Sequence, residues 1–143
     1  MSDIRPAQGA GPGDAPRHPF VATSLAASLT AGDLQTSVAW YRDVLGFAVE
    51  REFERGGAPF AVRLRAGSVA LLLTQDNGAR GSDRVKGVGF SLRLTTTQNI
   101  DDLATRIKAC GATLESEPAD AWGARVFHLR DPDGFLLVIS SEQ

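Results

Sequence analysis

A chain of 143 residues, 43% hydrophobic and 22% charged, has the composition of one compact globular domain or of two small halves sharing a core. The net charge of -2 and the lack of any basic run argue against nucleic acid or an anionic membrane as partner, because both require concentrated positive surface. The single cysteine, Cys110, cannot form an internal disulfide. No apolar run approaches the roughly 18 to 20 residues that span a bilayer, and the start lacks a basic-then-apolar leader pattern, so the cytoplasm is the expected location.

Residues 1–19 are rich in Gly, Pro and Ala and carry almost no large apolar side chains, which predicts a flexible tail containing His18. The folded part is expected over 20–143. A strand is predicted at 24–30. A helix follows, with Asp33 as N-cap, an apolar stripe of Leu34, Val38, Tyr41 and Leu45, and Gly46 as terminator. Trp40 and Tyr41 in this helix read as core. Three strands are predicted at 47–53, 60–65 and 69–74, the last two joined by Ala66-Gly67-Ser68. Residues 77–86 lack periodicity and read as a linker between a first module (20–76) and a second (87–143).

The same order then returns. A strand is predicted at 88–95, and a helix starting at Asn99 or Asp101 carries the stripe Leu103, Ile107 and Cys110. Cys110 is thus expected to be a buried, reduced thiol, with Gly111 ending the helix. Strands at 112–117, 123–130 and 135–140 complete the copy. The helix-ending glycines are 65 residues apart, an offset that also carries Arg65 onto Arg130 and Leu72 onto Leu137. The last two strands flank Asp131-Pro132-Asp133-Gly134, a turn sequence that predicts a β-hairpin. Taking those four residues as the turn makes Arg130 face Phe135, His128 face Leu137 and Phe127 face Val138. Arg125, Phe127 and Val138 then share one face, and Val126, His128, Leu137 and Ile139 the other.

The stretch DLQTSVAWYRDVLGF (33–47) resembles the first-helix signature of the vicinal oxygen chelate superfamily, which comprises the glyoxalases, bleomycin-resistance proteins and extradiol dioxygenases. The closing Trp122-Gly123, Arg125, Phe127 and Asp131-Pro132-Asp133-Gly134 resemble its final hairpin. The resemblance covers roughly residues 22–141. It implies an α+β fold of tandem βαβββ modules, whose eight strands form a curled mixed sheet with a cleft, and a homodimer. Enzymes of that superfamily hold a divalent metal through His or Gln on a first strand and Glu on a last strand. Aligned on the two motifs, this chain has Ala26, Leu73 and Val138 at three of those positions, and the fourth falls among residues 88–91. None offers a suitable donor, so no metal and no cofactor are expected, and the similarity is nearest to the metal-free, bleomycin-resistance-like branch.

Several side chains remain as candidates for binding a small-molecule ligand. Arg125 is either a forked anchor for an anionic or carbonyl group or half of a surface ion pair. Trp122 is either a stacking wall for a flat ligand or a packing residue against a loop or dimer partner. Phe127 and Val138 share the Arg125 face, and Phe53, Phe60 and Phe90 line either the cleft or its back. His128 is expected as a core or edge histidine. No Ser/His/Asp or Cys/His constellation is legible, and the glycines at 56, 57, 78, 81, 87 and 89 lack a phosphate-binding spacing. The expected function is metal-independent binding of a planar or aromatic molecule in an apolar cleft, with a glyoxalase- or dioxygenase-like enzyme as the alternative.

Overall fold

A computed structural model describes residues 19–81 and 84–142; the predicted tail, save Pro19, and part of the linker lie outside them. Two copies of one βαβββ unit are present. The first comprises β1 (Ala27–Ala31), α1 (Leu34–Trp40), β2 (Ala48–Arg55), β3 (Ala58–Ala66) and β4 (Val69–Gln75). The second comprises β5 (Ser91–Thr96), α2 (Ile100–Ala109), β6 (Leu114–Ala121), β7 (Ala124–Arg130) and β8 (Leu136–Ser141). Each unit forms its own four-stranded mixed sheet, in the orders β1-β4-β3-β2 and β5-β8-β7-β6. The eight expected strands are therefore divided between two sheets, and no barrel closes.

Local chemistry explains both helices. The Asp33 carboxylate accepts from the Thr36 N–H at 3.2 Å, and the Asn99 side chain accepts from the Asp102 N–H at 2.9 Å, so Asn99 is the second cap. After Trp40 the first helix widens into a π-helical turn, Tyr41–Leu45, closed by Gly46 at φ 87°. The stripes Leu34, Val38, Tyr41, Val44 and Ile100, Leu103, Ile107 bury themselves on the sheets. One continuous core joins them to Leu29, Val62, Leu64, Leu71 and Leu73 of the first sheet and to Phe127, Leu129, Leu137 and Ile139 of the second. Cys110 departs from expectation: it caps the C-terminal end of α2 and is exposed, one step beyond the buried stripe.

Polar ties also lock the units together. The Tyr41 hydroxyl donates to Asp131 Oδ2 at 2.8 Å, the Gly32 N–H to Asp133 Oδ1 at 2.8 Å, and the Ser37 hydroxyl to Asp133 Oδ2 at 3.2 Å. Lys86 lies 3.3 Å from Asp76 and 3.7 Å from Asp133.

The final hairpin is present, but its register differs by one residue from the expectation. Asp131, not Arg130, pairs with Phe135, through an Asp131 N–H to Phe135 C=O bond of 3.0 Å. The Asp131 carboxylate also accepts from the Asp133 and Phe135 N–H groups, each at 2.9 Å, which draws three residues into the loop. Consequently Arg130 faces Leu136, Leu129 faces Leu137, His128 faces Val138 and Phe127 faces Ile139. A one-residue slip exchanges the faces, so Phe127 and Val138 lie on opposite sides of the sheet, and His128 lies with Val138. The β3–β4 turn needs only two residues between paired Ala66 and Val69. The repeat offset is therefore 65 on β3 and β7 but 66 on β4 and β8, and Leu72 corresponds to Val138.

Candidate ligand-binding site

Side chains directly opposite one another on neighbouring strands project from the same face of a sheet. In the first sheet, Glu52, Val62, Leu73 and Leu29 form one row, and its apolar members lie in the core beneath α1. The face turned away from the helix carries two other rows. Arg51, Arg63, Leu72 and Ser28 form the first; Phe53, Ala61, Thr74 and Thr30 form the second. In the second sheet, the row Ser116, His128, Val138 and Arg93 occupies the corresponding far face, followed by Ala119, Val126, Ser140 and Thr95.

These rows sort the candidates. Val138 lies on the far face, between His128 and Arg93, packed with Ala124 and Val126. Phe127 is fully buried in the core on the other face and cannot meet a ligand without unfolding that core. Arg125 is held on the helix side: its Nε and one terminal nitrogen donate to Asp101 at 3.1 and 2.9 Å, and the other to Asp120 at 3.3 Å. Of its two possible roles the ion pair is the one formed, and it holds the Asp101 carboxyl below its ordinary range. Leu73 lies in the core; its far-face neighbour Leu72 stands where Val138 stands in the second unit.

Trp122 and Gly123 form the two-residue turn between paired Ala121 and Ala124, with φ of 57° and 76°. Positive φ at both positions is the signature of a type I′ turn, and Trp122 is the sole non-glycine residue with positive φ among the described residues. Its side chain is 75% exposed. Such a conformation costs of order 1 kcal/mol or more in a bulky residue. Phe60 packs near the tip of the β2–β3 hairpin, its ring 6.4 Å from that of Phe53 and capped by Arg55 at 4.5 Å. Phe90 immediately precedes β5 and meets Phe135 edge-on at 6.3 Å.

Between the first strands of the two units lies a cavity of about 370 Å³, walled by Leu25, Ala26, Leu71, Phe90 and Leu92, with Ser28 and Arg93 as polar members. Its size and its few polar groups suit a small, mostly apolar molecule. The Arg93 guanidinium is steadied by a 3.1 Å bond to the Ser140 hydroxyl. Deeper in, burial pushes the Asp131 carboxyl above its ordinary range against the opposing pull of Tyr41 O–H and two backbone N–H groups. Burial and the facing Asp131 likewise raise the Tyr41 phenol.

The donor chemistry does not fit a divalent metal. The far-face positions on the first and last strands hold Ser28, Leu72, Arg93 and Val138, and guanidiniums repel a cation. Among the described residues, no three His, Cys, Asp or Glu side chains converge as a metal site would require. One pair escaped the sequence: Ser116 and His128, on adjacent strands, meet with Oγ 2.5 Å from Nδ1. The missed signal was the corrected register, which puts His128 on the far face. Arg51 and Arg63, which flank the candidate Phe53, were missed because charge alternation along β2 looks like a solvated edge.

Residues 22–139 match the family model described as the Glyoxalase/Bleomycin resistance protein/Dioxygenase superfamily. No curated protein matches the sequence. Among solved structures, TioX from Micromonospora sp. ML1 is similar at 19% identity and a TM-score of 0.69, over 85% of this chain and 100% of that one. A glyoxalase/bleomycin resistance protein/dioxygenase from Nocardioides is similar at 21% identity and 0.69, over 87% and 86%. Lactoylglutathione lyase from Agrobacterium tumefaciens is similar at 21% identity and 0.60, over 85% and 94%. At these identities the likenesses establish the fold alone.

Proposed function

Because the chain belongs to the glyoxalase/bleomycin resistance protein/dioxygenase superfamily, we propose that it is a metal-independent binding protein for a planar or aromatic small molecule. The observation that carries this is the content of the far-face rows: Ser28, Leu72, Arg93 and Val138 stand on the strands from which relatives would supply ligands to a metal. The adjoining apolar cavity provides the volume; of the sequence candidates Phe90 lines it, and Val138 stands in the far-face row beside Arg93, which also lines it. Trp122 and Phe60 remain at hairpin tips as outer contacts.

A cytoplasmic homodimer is part of the same proposal. Leu25 and Val88, 99% and 81% exposed before β1 and β5, are natural candidates for cover by a second copy. Light scattering at twice 15.2 kDa checks the dimer. Titrating intrinsic tryptophan fluorescence with a panel of aromatic and glycopeptide compounds checks binding, and the absence of any response would overturn it. Stoichiometric Zn, Ni, Mn or Fe in protein purified without chelators would overturn metal independence.

One observation favours a second reading, a metal-independent isomerase or lyase. His128 has Nδ1 engaged by Ser116 on the far face, which leaves the ring positioned for proton transfer. Turnover of the lactoylglutathione lyase substrate that persists in EDTA and disappears in His128→Asn would establish it; the absence of turnover leaves binding as the function.

A further inference from the structure

The far face of the first sheet carries a cationic and aromatic surface. Along β2, acidic residues alternate with Arg51, Phe53 and Arg55. Glu52 pairs with Val62 on the helix side, whereas Arg51 and Phe53 pair with Arg63 and Ala61 on the far face. The Arg51 guanidinium lies 4.7 Å from the Phe53 ring centroid and that of Arg63 lies 5.5 Å away. Neither guanidinium has a carboxylate within ion-pairing distance among the described residues. By contrast Arg65, two positions along β3, is paired with Glu50 at 3.0 Å, and Arg125 and Arg130 are paired in the second unit. Two adjacent, unpaired guanidiniums repel each other, so the arrangement is better satisfied with an anion between them.

We propose that this surface selects the charge of the ligand: the molecule bound is an aromatic anion, its acidic group taken by Arg51 and Arg63 and its ring laid over Leu72. This rests on the proposed binding function and specifies its substrate class. Phe53 packs against both guanidiniums and restricts them, leaving their N–H edges for a forked bond to carboxylate, sulfonate or phosphate. Leu72 is the next residue in the Arg51–Arg63 row, about 4.8 Å further across the sheet, roughly the span from an acidic substituent to the ring that bears it. Ser28 ends the row at the apolar cavity, so a larger ligand can continue inward. Single-stranded nucleic acid would need a longer basic track, whereas here the next cation along β3, Arg65, is paired with Glu50 and Arg55 is stacked on Phe60.

The test uses two fluorescent probes with the same rings: 1-anilinonaphthalene-8-sulfonate, an anion, and N-phenyl-1-naphthylamine, which lacks the sulfonate. The wild-type protein is expected to bind the sulfonate about tenfold more tightly, although the neutral probe is the more hydrophobic. The R51Q/R63Q pair is expected to lose that preference while leaving the neutral probe's affinity unchanged. Raising salt from about 0.05 to 0.5 M, which shortens the screening length severalfold, should weaken only the sulfonate in the wild type and needs no variant. Equal affinities, or a sulfonate preference indifferent to both salt and R51Q/R63Q, would overturn the charge selection while leaving aromatic binding intact. Failure of both probes to bind would overturn the binding function together with it.

Discussion

Replacing Tyr41 with Phe removes a single oxygen at the junction of the two units. The ring is 1% exposed and keeps its edge-on contacts with Trp40 and Phe47, at centroid distances of 5.0 and 5.6 Å, so packing changes little. What disappears is the 2.8 Å donor to Asp131 Oδ2, a carboxylate in a residue only 6% exposed. A hydrogen bond to a charged group contributes about 1.5 to 3 kcal/mol, and burial keeps water from replacing the donor. The expected loss is about 2 kcal/mol at pH 7, read as a urea midpoint lowered by about 1 M with the slope unchanged at about 2 kcal/mol/M. The pH dependence has a definite sign. The folded-state pKa of Asp131 lies above its ordinary value, so its contribution to stability is full below the ordinary carboxylate range and is lost as pH rises through the folded value. Tyr41→Phe takes a donor from the anion and raises that pKa further. The variant is therefore most destabilised at neutral pH, and its deficit shrinks once Asp131 is protonated. Urea curves at pH 7 and pH 4 measure both quantities. A midpoint within about 0.2 M of wild type at pH 7, or a deficit that grows in acid, would refute the assignment of the Tyr41–Asp131 bond as a buried charged tie.

Three further perturbations address other features. Trp122→Asn relieves a bulky residue at positive φ and should raise stability by about 1 kcal/mol in thermal unfolding, while weakening ligand binding if the indole is a contact; a loss of stability would deny the strain. Gly87→Ala would place a Cβ 2.7 Å from Phe135 Cδ1 at φ +76°, with an expected cost of at least about 1 to 2 kcal/mol, and an unchanged Tm would refute the close approach. Arg125→Ala should leave probe affinity within about twofold, because its forks are occupied by Asp101 and Asp120. Its hydrogen bond holds the Asp101 carboxyl below the ordinary range, a contribution present above that range and lost as pH falls. The variant should therefore show a flatter acid limb in a stability–pH profile.

Periodicity and capping made the paired βαβββ units, both helix starts and the hairpin turns legible, because each is written within a few neighbouring residues. Asp33, Asn99 and Gly46 act where they stand. The register across the last hairpin was not legible. It depends on whether Asp131 belongs to the strand or the loop, and its side chain decides by accepting from two N–H groups further on. One residue of slip sent Phe127 into the core, brought His128 beside Val138 and moved the counterpart of Val138 from Leu73 to Leu72. The choice between the two roles of Arg125 was not legible because its partner Asp101 comes from a helix, a contact that strand alternation cannot foresee. The cationic far-face surface was illegible for the same reason: Arg51, Phe53 and Arg63 become neighbours only through the pairing of β2 with β3.

The loop at Asp131 and Asp133 also sets an order of events during synthesis. Its bonds reach back 90 to 101 residues, to Gly32 just before α1, Ser37 within it and Tyr41 just after it. A ribosome that has exposed only the first unit offers a sheet and a helix whose entry is capped by Asp33 and Gln75 but lacks the ties from the second unit. At about 5 to 20 residues per second, the closing groups, 56 to 58 residues beyond Gln75, emerge roughly 3 to 12 seconds later. During that interval α1 is held by its apolar stripe, its Asp33 cap and the Leu34 N–H bond to the Gln75 side chain, without the ties to the last hairpin. Translation of the last hairpin thereby completes the polar ties between the units, so a chain interrupted before Asp131 lacks the bonds that join Gly32, Ser37 and Tyr41 to the second unit.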